Sequence, residues 1–326
     1  TNTGTLANLA NTKNIGTFTN ANGGTITNKV SNEGTIANFD NKGILSGGFV
    51  NNANAILTKF SNSNNIGTFD NQGSLASAEN TGSITNFANS GTAGNITNKG
   101  TLANATNTGT LANLANTKNI GTFSNAGTLA SATNTGTLAN LANTKNIGTF
   151  DNQGSLASAE NTGSITNFAN SGTAGNITNK GTLANATNTG TLANLANTKN
   201  IGTFTNKGTL ANATNTGIIA NLANTKNIGT FSNANGGTIT NKVSNEGTIA
   251  NFDNKGILSG GFVNNANAIL TKFSNSNNIG TFDNQGSLAS AENTGSITNF
   301  ANSGTAGNIT NKGTLASATN TGTLAN

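Results

Sequence analysis

The sequence predicts an all-β fold, a parallel β-solenoid in which one chain coils repeatedly on itself. Three observations support this prediction. Residues 1–113 recur almost unchanged as residues 214–326, which gives a long period of 213 residues. Within that period runs a nine-residue motif, x-Asn-x-Gly-x-Leu/Ile-x-Asn/Ser followed by an apolar ninth residue. The frequent Gly and Asn oppose a helix, and no helical apolar stripe is sustained. Repetition this tight is typical of stacked structural units.

Each nonapeptide predicts one short strand and one corner. In Gly-Thr-Leu-Ala-Asn, alternation turns Leu at position six inward and Thr and Ala outward, while Gly and Asn suit the bend. One strand cannot bury its own apolar side, but parallel copies stacked on each other can. We therefore expect the sixth and ninth positions to form core columns. Members of these columns are Leu75, Ile84, Phe123, Phe150, Phe204 and Phe231.

The ninth residue predicts the number of sides in a coil. From Asp70 to Phe231 its class rotates in a fixed order: Ala, then Leu or Phe, then Phe or Ile. This triplet predicts a three-sided coil of about 27 residues, with a two-sided β-roll of about 18 residues as the alternative. Residues 19–69 and 232–282 depart from the motif, and each spans 51 residues, fewer than two such coils need. We expect irregular coils with a shortened or fused side and protruding loops there.

Asparagine at position two recurs in nearly every unit. Stacked amides can hydrogen bond along the axis of a cross-β structure, which predicts a structural Asn ladder. The residues of this ladder are Asn71, Asn80, Asn89, Asn98, Asn107 and Asn116. The alternative explanation is that Asn tolerates the backbone geometry of turns. Under both explanations the role of these residues is structural.

The composition argues against most kinds of chemistry. The chain has no His, Cys, Met, Trp, Tyr or Pro, and its 15 basic residues are all Lys. Without His or Cys there is no basis for a zinc, haem or iron–sulfur site, a nucleophile–base pair or a disulfide. The ten acids do not form the clusters that calcium needs. We therefore expect no enzyme activity, no metal and no cofactor.

Charge and hydropathy restrict the kinds of partner that this chain is expected to bind. The formal net charge is +5, but only 8% of the residues are charged and the lysines are spread through the repeats. Nucleic-acid binding needs denser basic patches with aromatic groups free to stack on bases. No apolar run approaches the roughly 18 residues of a membrane span. We expect neither nucleic acid nor a membrane span in this segment.

Two outward patterns are candidates for contacts. Lys118, Lys145 and Lys199 share position four, and Asp151 and Glu160 share position one. Such columns predict lateral contacts between rods, and the alternative is a solvated face that opposes unwanted edge pairing.

Threonine pairs form the second pattern. Thr108/Thr110 and Thr135/Thr137 have a Thr-x-Thr spacing that would present hydroxyls in a regular array on a flat sheet. Some ice-binding solenoids present threonine in this way.

The run Ser31-Asn-Glu-Gly-Thr-Ile-Ala-Asn-Phe-Asp-Asn-Lys-Gly-Ile-Leu45 is a clear example of the repeated Asn-x-Gly-x-Ile/Leu-x-Asn pattern. It resembles the repeat regions of bacterial type V secreted surface proteins, namely autotransporter passengers and filamentous-haemagglutinin-like adhesins. The resemblance covers essentially the whole chain. It implies a right-handed β-solenoid exported to the cell surface as a stalk or filament, and it carries over no catalytic residues.

We therefore expect an extracellular structural protein, with residues 1–326 as one continuous solenoid segment of a longer array. It would form a rigid stalk or filament on a bacterial surface and associate with itself end to end or laterally. A second hypothesis is an adhesin or ice-binding module, which would use the irregular loops or the Thr-lined face to bind ice or a host or cell-surface glycan or protein. A third is a functional amyloid-like fibre, in which separate chains stack.

Overall fold

The structure is a computed structural model that describes residues 1–325. These residues form strands and corners and no helix. Two compact units, Thr1–Ala159 and Glu160–Asn326, make up the chain and are described separately.

The strands of unit 1 are β1 (Thr5–Leu6), β2 (Leu9–Asn11), β3 (Asn14–Asn20), β4 (Thr25–Ile26), β5 (Val30–Asn32), β6 (Thr35–Asn41), β7 (Ile44–Leu45), β8 (Phe49–Asn51), β9 (Ile56–Asn62), β10 (Asn65–Asn71), β11 (Ser74–Asn80), β12 (Ser83–Asn89), β13 (Thr92–Asn98), β14 (Thr101–Asn107), β15 (Thr110–Asn116), β16 (Asn119–Asn125), β17 (Thr128–Asn134), β18 (Thr137–Asn143) and β19 (Asn146–Asn152). Strand β20 (Ser155–Asn161) lies at the boundary between the units.

The strands of unit 2 are β21 (Ser164–Asn170), β22 (Thr173–Asn179), β23 (Thr182–Asn188), β24 (Thr191–Asn197), β25 (Asn200–Asn206), β26 (Thr209–Asn215), β27 (Ile218–Asn224), β28 (Asn227–Asn233), β29 (Thr238–Ile239), β30 (Val243–Asn245), β31 (Thr248–Asn254), β32 (Ile257–Leu258), β33 (Phe262–Asn264), β34 (Ile269–Asn275), β35 (Asn278–Asn284), β36 (Ser287–Asn293), β37 (Ser296–Asn302), β38 (Thr305–Asn311), β39 (Thr314–Asn320) and β40 (Thr323–Leu324).

Each unit is a parallel β-solenoid made of two sheets. In unit 1, sheet 1A stacks β3, β6, β9, β11, β13, β15, β17 and β19 in that order. Sheet 1B stacks β1/β2, β4/β5, β7/β8, β10, β12, β14, β16 and β18. Unit 2 is built in the same way. Its sheet 2A contains β21, β23, β25, β27, β29/β30, β32/β33, β35, β37 and β39, and its sheet 2B contains β22, β24, β26, β28, β31, β34, β36, β38 and β40.

The strand register gives the length of a coil. Asn71 pairs with Asn89 in the neighbouring strand of the same sheet, at a separation of 18 residues. One coil therefore consists of two nonapeptides, one in each sheet. The β-solenoid prediction is confirmed, the three-sided coil of 27 residues is wrong, and the two-sided alternative fits.

The packing of the ninth residue explains why two sides are preferred. In a three-sided coil the alanines of this position would all stack on one side and leave a strip of the core unfilled. In the observed coil each step along a column passes to a different class of ninth residue. Ala105, for example, is stacked between Phe87 and Phe123. The large neighbours fill the space beside each alanine, as close packing of a protein interior requires.

The core lies between the two sheets of each coil. The side chains expected there from the sequence, Leu75, Ile84, Phe123, Phe150, Phe204 and Phe231, are at most 4% exposed. Side chains from facing sheets meet across the core, since the ring centroids of Phe60 and Phe69 are 4.3 Å apart. Positions seven and eight both face outward, as Ala112 and Asn113 do between the buried Leu111 and Leu114. Simple alternation does not predict two successive outward positions in the seven-residue strands.

The irregular coils of unit 1 are lengthened, which corrects the expectation of a shortened or fused side. Their ladder asparagines are 19 to 21 residues apart. The corners at 21–24 and 52–55 have four residues instead of two, and residues 27–29 and 46–48 interrupt the strand pairs β4/β5 and β7/β8. In unit 2 the equivalent segments are residues 234–237, 265–268, 240–242 and 259–261. Among the described residues the departures are thus short corners and bulges rather than long protruding loops.

Glycine at the corner permits the close stacking of coils. A Cβ atom placed on Gly91 would lie 2.1 Å from the carbonyl oxygen of Gly73 in the preceding coil. The same pair of corners is joined by the Thr92 N–H, which donates to Gly73 O at 2.9 Å. Any side chain at Gly91 would have to separate these two corners.

We predict that Gly91→Ala destabilises unit 1 by about 1–3 kcal/mol, because the added methyl group collides with backbone that packing holds in place. Gly67→Ala is the matched control, since a Cβ there meets its nearest atom, Ser46 O, at 3.6 Å. Urea denaturation followed by circular dichroism measures both changes. Equal midpoints for the two variants would contradict the role assigned to the corner glycine.

Candidate functional site

Two columns of buried asparagines run through each unit, one at the end of each sheet. In unit 1 the first column contains Asn20, Asn41, Asn62, Asn80, Asn98, Asn116, Asn134 and Asn152. The second contains Asn11, Asn32, Asn51, Asn71, Asn89, Asn107, Asn125 and Asn143. In unit 2 the columns run from Asn161 to Asn311 and from Asn170 to Asn320, and only these two last members are exposed.

A ladder amide within a column is bonded on every side, as Asn98 shows. Its Nδ2 donates to Asn116 Oδ1 at 2.9 Å and also to the carbonyl oxygens of Gly100 and Asn119, at 3.2 and 2.9 Å. Its Oδ1 accepts a hydrogen bond from Asn80 Nδ2 at 2.9 Å. The amide therefore joins its own corner, the coil before and the coil after.

The predicted Asn ladder is confirmed. Asn71, Asn80, Asn89, Asn98, Asn107 and Asn116 all belong to these columns and are at most 6% exposed. Every buried polar residue in the described part of the chain is a ladder asparagine. No buried side-chain nitrogen or oxygen there lacks a hydrogen-bond partner. This matters because a buried amide left unbonded costs about 1–3 kcal/mol.

A second set of amide contacts, which the sequence reasoning missed, lies on the outer faces. Asn113 Nδ2 donates to Asn95 Oδ1 at 2.7 Å in unit 1, and Asn194 Nδ2 donates to Asn176 Oδ1 at 2.7 Å in unit 2. These exposed bonds run toward the preceding coil, whereas the buried ladder donates toward the following one. The recurrence of Asn at position eight was the signal that could have revealed them.

The lysines expected to make lateral contacts occupy corners. Lys118, Lys145 and Lys199 are exposed, and each takes the place of a corner glycine. At Lys118 the bond to the preceding coil is longer than at a glycine corner, since Asn119 N–H donates to Gly100 O at 3.2 Å where Thr101 N–H and Gly82 O are 2.9 Å apart. The bond to the following coil is shorter, since Thr137 N–H donates to Lys118 O at 2.6 Å. In the described residues none of these lysines lies within ion-pair distance of a carboxylate.

The two acids that were also expected to make lateral contacts, Asp151 and Glu160, have partners within their own unit. Glu160 Oε1 accepts a hydrogen bond from Lys180 Nζ at 2.6 Å, and Asp151 Oδ2 accepts one from Gln153 Nε2 at 2.6 Å. The structure therefore does not bring the predicted lysines and acids together.

Ion pairs between neighbouring coils recur with a constant offset. Glu79–Lys99, Glu160–Lys180 and Glu292–Lys312 are separated by 20 residues, with N–O distances of 2.6 to 2.8 Å. The hydrogen bond from Lys99 holds the pKa of Glu79 below its ordinary value of 4.5, helped by the charges of Lys99 and Lys59. Lys312 likewise lowers the pKa of Glu292, whose carboxylate in turn raises that of Lys312. The constant offset could be interpreted only once the coil was known to have 18 residues.

The Thr-x-Thr pairs do not form one flat array in unit 1. Thr108 and Thr110 follow a strand of sheet 1B, whereas Thr135 and Thr137 follow a strand of sheet 1A. The two pairs therefore lie at opposite corners of the solenoid. Threonines at position five do stack within sheet 1A, as Thr92, Thr110 and Thr128 do, but Asn146 ends this column.

A shallow polar groove crosses three coils of sheet 1A beside the irregular corners. It has a volume of about 250 Å³, and Thr17, Asn38, Asp40, Lys59 and Ser61 are among its lining residues. Hydroxyl, amide, carboxylate and ammonium groups are all available in this groove. Such a mixture can donate and accept hydrogen bonds to a polar ligand.

Nowhere in residues 1–325 do three His, Cys, Asp or Glu side chains come together in a way that could hold a metal ion. That part of the chain also contains no helix with the length and apolarity that a membrane crossing requires.

Comparisons with known proteins found no relative of this chain. No protein-family model, no curated protein and no solved structure matches this chain. The function must therefore be argued from the chain's own geometry.

We predict that Asn98→Ala destabilises unit 1 by about 3 kcal/mol or more, because it leaves several buried groups of the ladder without partners. Asn95→Ala, in the same strand β13, is the matched control because Asn95 is exposed and bonds only at the outer face. Urea denaturation gives the overall effect, and hydrogen exchange of the neighbouring coils locates it. A similar loss in both variants would show that the ladder is not a special source of stability.

We predict a small acid-sensitive contribution from Glu79. Because its pKa is lowered in the folded chain, the stabilisation is present above 4.5 and is lost as the pH falls through the folded value. Both side chains are about half exposed, so the contribution is below about 1 kcal/mol and is weakened by salt. Glu79→Gln should lower stability at neutral pH, with the difference disappearing in acid.

The matched control is Glu33→Gln, because Glu33 lies outside ion-pair distance of any lysine in the described residues. Urea midpoints from neutral to acid pH, at low and high salt, measure both variants. A Glu79→Gln effect that persisted unchanged in strong acid would contradict the assignment.

Proposed function

We propose that this protein is an extracellular structural protein of a bacterial surface, in which repeated β-coils form a stiff stalk or filament. The observation that carries the proposal is the pair of amide ladders, which within each unit bond neighbouring coils to one another, as Asn98 does with Asn80 and Asn116. Pulling two coils apart would break ladder bonds and parallel backbone bonds together. A repeated element of this kind provides reach and stiffness.

The interior supports a mechanical role more than a binding role. In unit 2 the apolar spaces within the core have volumes of only about 10 and 20 Å³. Ligand pockets are usually about 300–1,000 Å³. The coils are therefore filled with their own side chains.

Extracellular location is supported by composition and by the resemblance of residues 31–45 to type V secreted surface proteins. The chain has no Cys or Met to oxidise. Its exposed surface is mostly threonine, serine, asparagine and alanine, with few charges. We infer export to the cell surface.

Lateral association would use the corner lysines. Asp151 and Glu160 are engaged inside the chain, so that of the five residues predicted to make lateral contacts Lys118, Lys145 and Lys199 are the better placed to contact a neighbour. Their partner would be an acidic group on another rod or an anionic cell-surface polymer. Such contacts would weaken as salt is raised.

Adhesion is the second candidate function, and the groove over sheet 1A is the observation that favours it. Asp40, Lys59 and Asn38 could hydrogen bond the hydroxyl groups of a glycan. The groove is open and lacks an exposed aromatic ring, since Phe39 is only 1% exposed. We therefore rank adhesion below the structural role.

We predict that the protein on intact producing cells is accessible to antibody and protease, and that released material appears as straight fibres by atomic force microscopy. Cell adhesion should be unchanged when Asp40 and Lys59 are both replaced by Ala. Asp151→Ala, at a regular coil of the same sheet, is the control. An intracellular location would overturn the proposal, and adhesion lost only in the groove variant would favour the adhesin.

A further inference from the structure

We propose that Asn22 and Asn235 are sites of spontaneous chemical modification, at which the side-chain amide is lost and an aspartate or isoaspartate is formed. They are the two asparagines of the chain that directly precede glycine. Each lies in a four-residue corner of an irregular coil. This inference is independent of the proposed function.

The reaction uses only the chain and water. The backbone nitrogen of the following residue attacks Cγ of the asparagine, and a new C–N bond closes a five-membered succinimide ring. The bond from Cγ to Nδ2 breaks and the amide leaves as ammonia. One water molecule then opens the ring to aspartate or isoaspartate, without oxidation or reduction. Glycine favours the attack because no side chain obstructs its nitrogen and its backbone is conformationally free.

The corner at Asn22 leaves both reacting groups available. Gly24 N–H donates to Ala21 O at 2.9 Å, which closes a turn with Asn22 and Gly23 at its centre. Gly23 has a φ of 82°, and both central residues are exposed. In the described residues neither the Gly23 N–H nor the Asn22 side chain makes a hydrogen bond.

The copy of this corner in unit 2 has the same geometry. Gly237 N–H donates to Ala234 O at 2.9 Å, Gly236 has a φ of 84°, and Asn235 is exposed. The two corners thus provide independent tests in one molecule.

The ladder protects its own asparagines from the same reaction. At Asn89 the Nδ2 that would leave donates to Asn107 Oδ1 at 2.8 Å, and the side chain is 1% exposed. The nitrogen that would attack belongs to Ser90, and its N–H is already donated to Asn71 O at 2.9 Å. Both groups are therefore engaged, and water is excluded from the amide.

Conversion would change the corner in two ways. Each event adds one negative charge to a chain whose net charge is +5. Isoaspartate also lengthens the main chain by one methylene group, next to Gly24, where a Cβ would already lie 2.5 Å from Asn2 O. The irregular coils are therefore the places at which asparagine is first converted to aspartate or isoaspartate in this protein.

The test is to incubate the full folded chain at neutral pH in heavy-oxygen water and to map its peptides by mass spectrometry. Heavy oxygen marks carboxylates formed during the incubation. We expect labelled acid to accumulate at Asn22 and Asn235 at least several-fold faster than at Asn89. Asn22→Gln should abolish the first signal and leave the second unchanged. In urea, conversion at Asn89 should accelerate because the ladder is lost.

Three results would overturn the proposal. One is labelled acid at Asn89 as fast as at Asn22 in the folded chain. Another is the absence of conversion at both corners while a short peptide spanning residues 19–26 converts under the same conditions. The third is an unchanged rate at Asn89 in urea, which would contradict protection by the ladder.

Discussion

The hydrogen bond between one buried asparagine amide and the next is the interaction on which the rest of this structure depends. A primary amide placed in an apolar core is costly unless its donors and acceptor are all bonded. The ladder satisfies them along the axis, and only a copy of the same residue at the same place can do so. A strict sequence repeat is therefore a requirement of the interior and not merely a record of duplication.

The irregular coils show how strongly the ladder constrains the chain. Extra residues are present in these coils, yet Asn20, Asn41 and Asn62 remain bonded in one column at 2.8 and 2.9 Å. The additional length is taken up at corners and in interrupted strands, where it does not disturb the amides. Gly48, with a φ of 80°, and Asn54, with a φ of 67°, adopt the left-handed conformation that these detours need. Variation is thus confined to positions outside the ladder.

The contacts on the outer surface differ from those of the buried ladder, since they are exposed and individually weak. Glu79 and Lys99 pair across coils, while Lys118, Lys145 and Lys199 have no carboxylate partner among the described residues. Surface pairs of this kind contribute little to stability, so the outward residues are free to vary. That freedom makes the outer faces the place where rods could differ in lateral association or in ligand binding. Exposure also separates two kinds of asparagine. The buried ladder amides are protected from loss of the amide, and the exposed amides of Asn22 and Asn235 are reactive.

The sequence by itself determined the local structure and the identity of the buried positions. Period nine, Leu75 at the sixth position and Asn71 at the second were enough to predict strands, corners, an apolar core and an amide ladder, because these features depend only on the pattern within one nonapeptide and on its repetition. The number of sides was decided only by the tertiary structure. The ninth residue has a period of three units whereas the coil has two. Only packing between stacked coils, with Ala105 between Phe87 and Phe123, selects the coil that leaves no empty strip. The Glu79–Lys99 pair and the opposite placement of Thr108 and Thr135 follow from that choice, since contacts between coils exist only once the coil length is fixed.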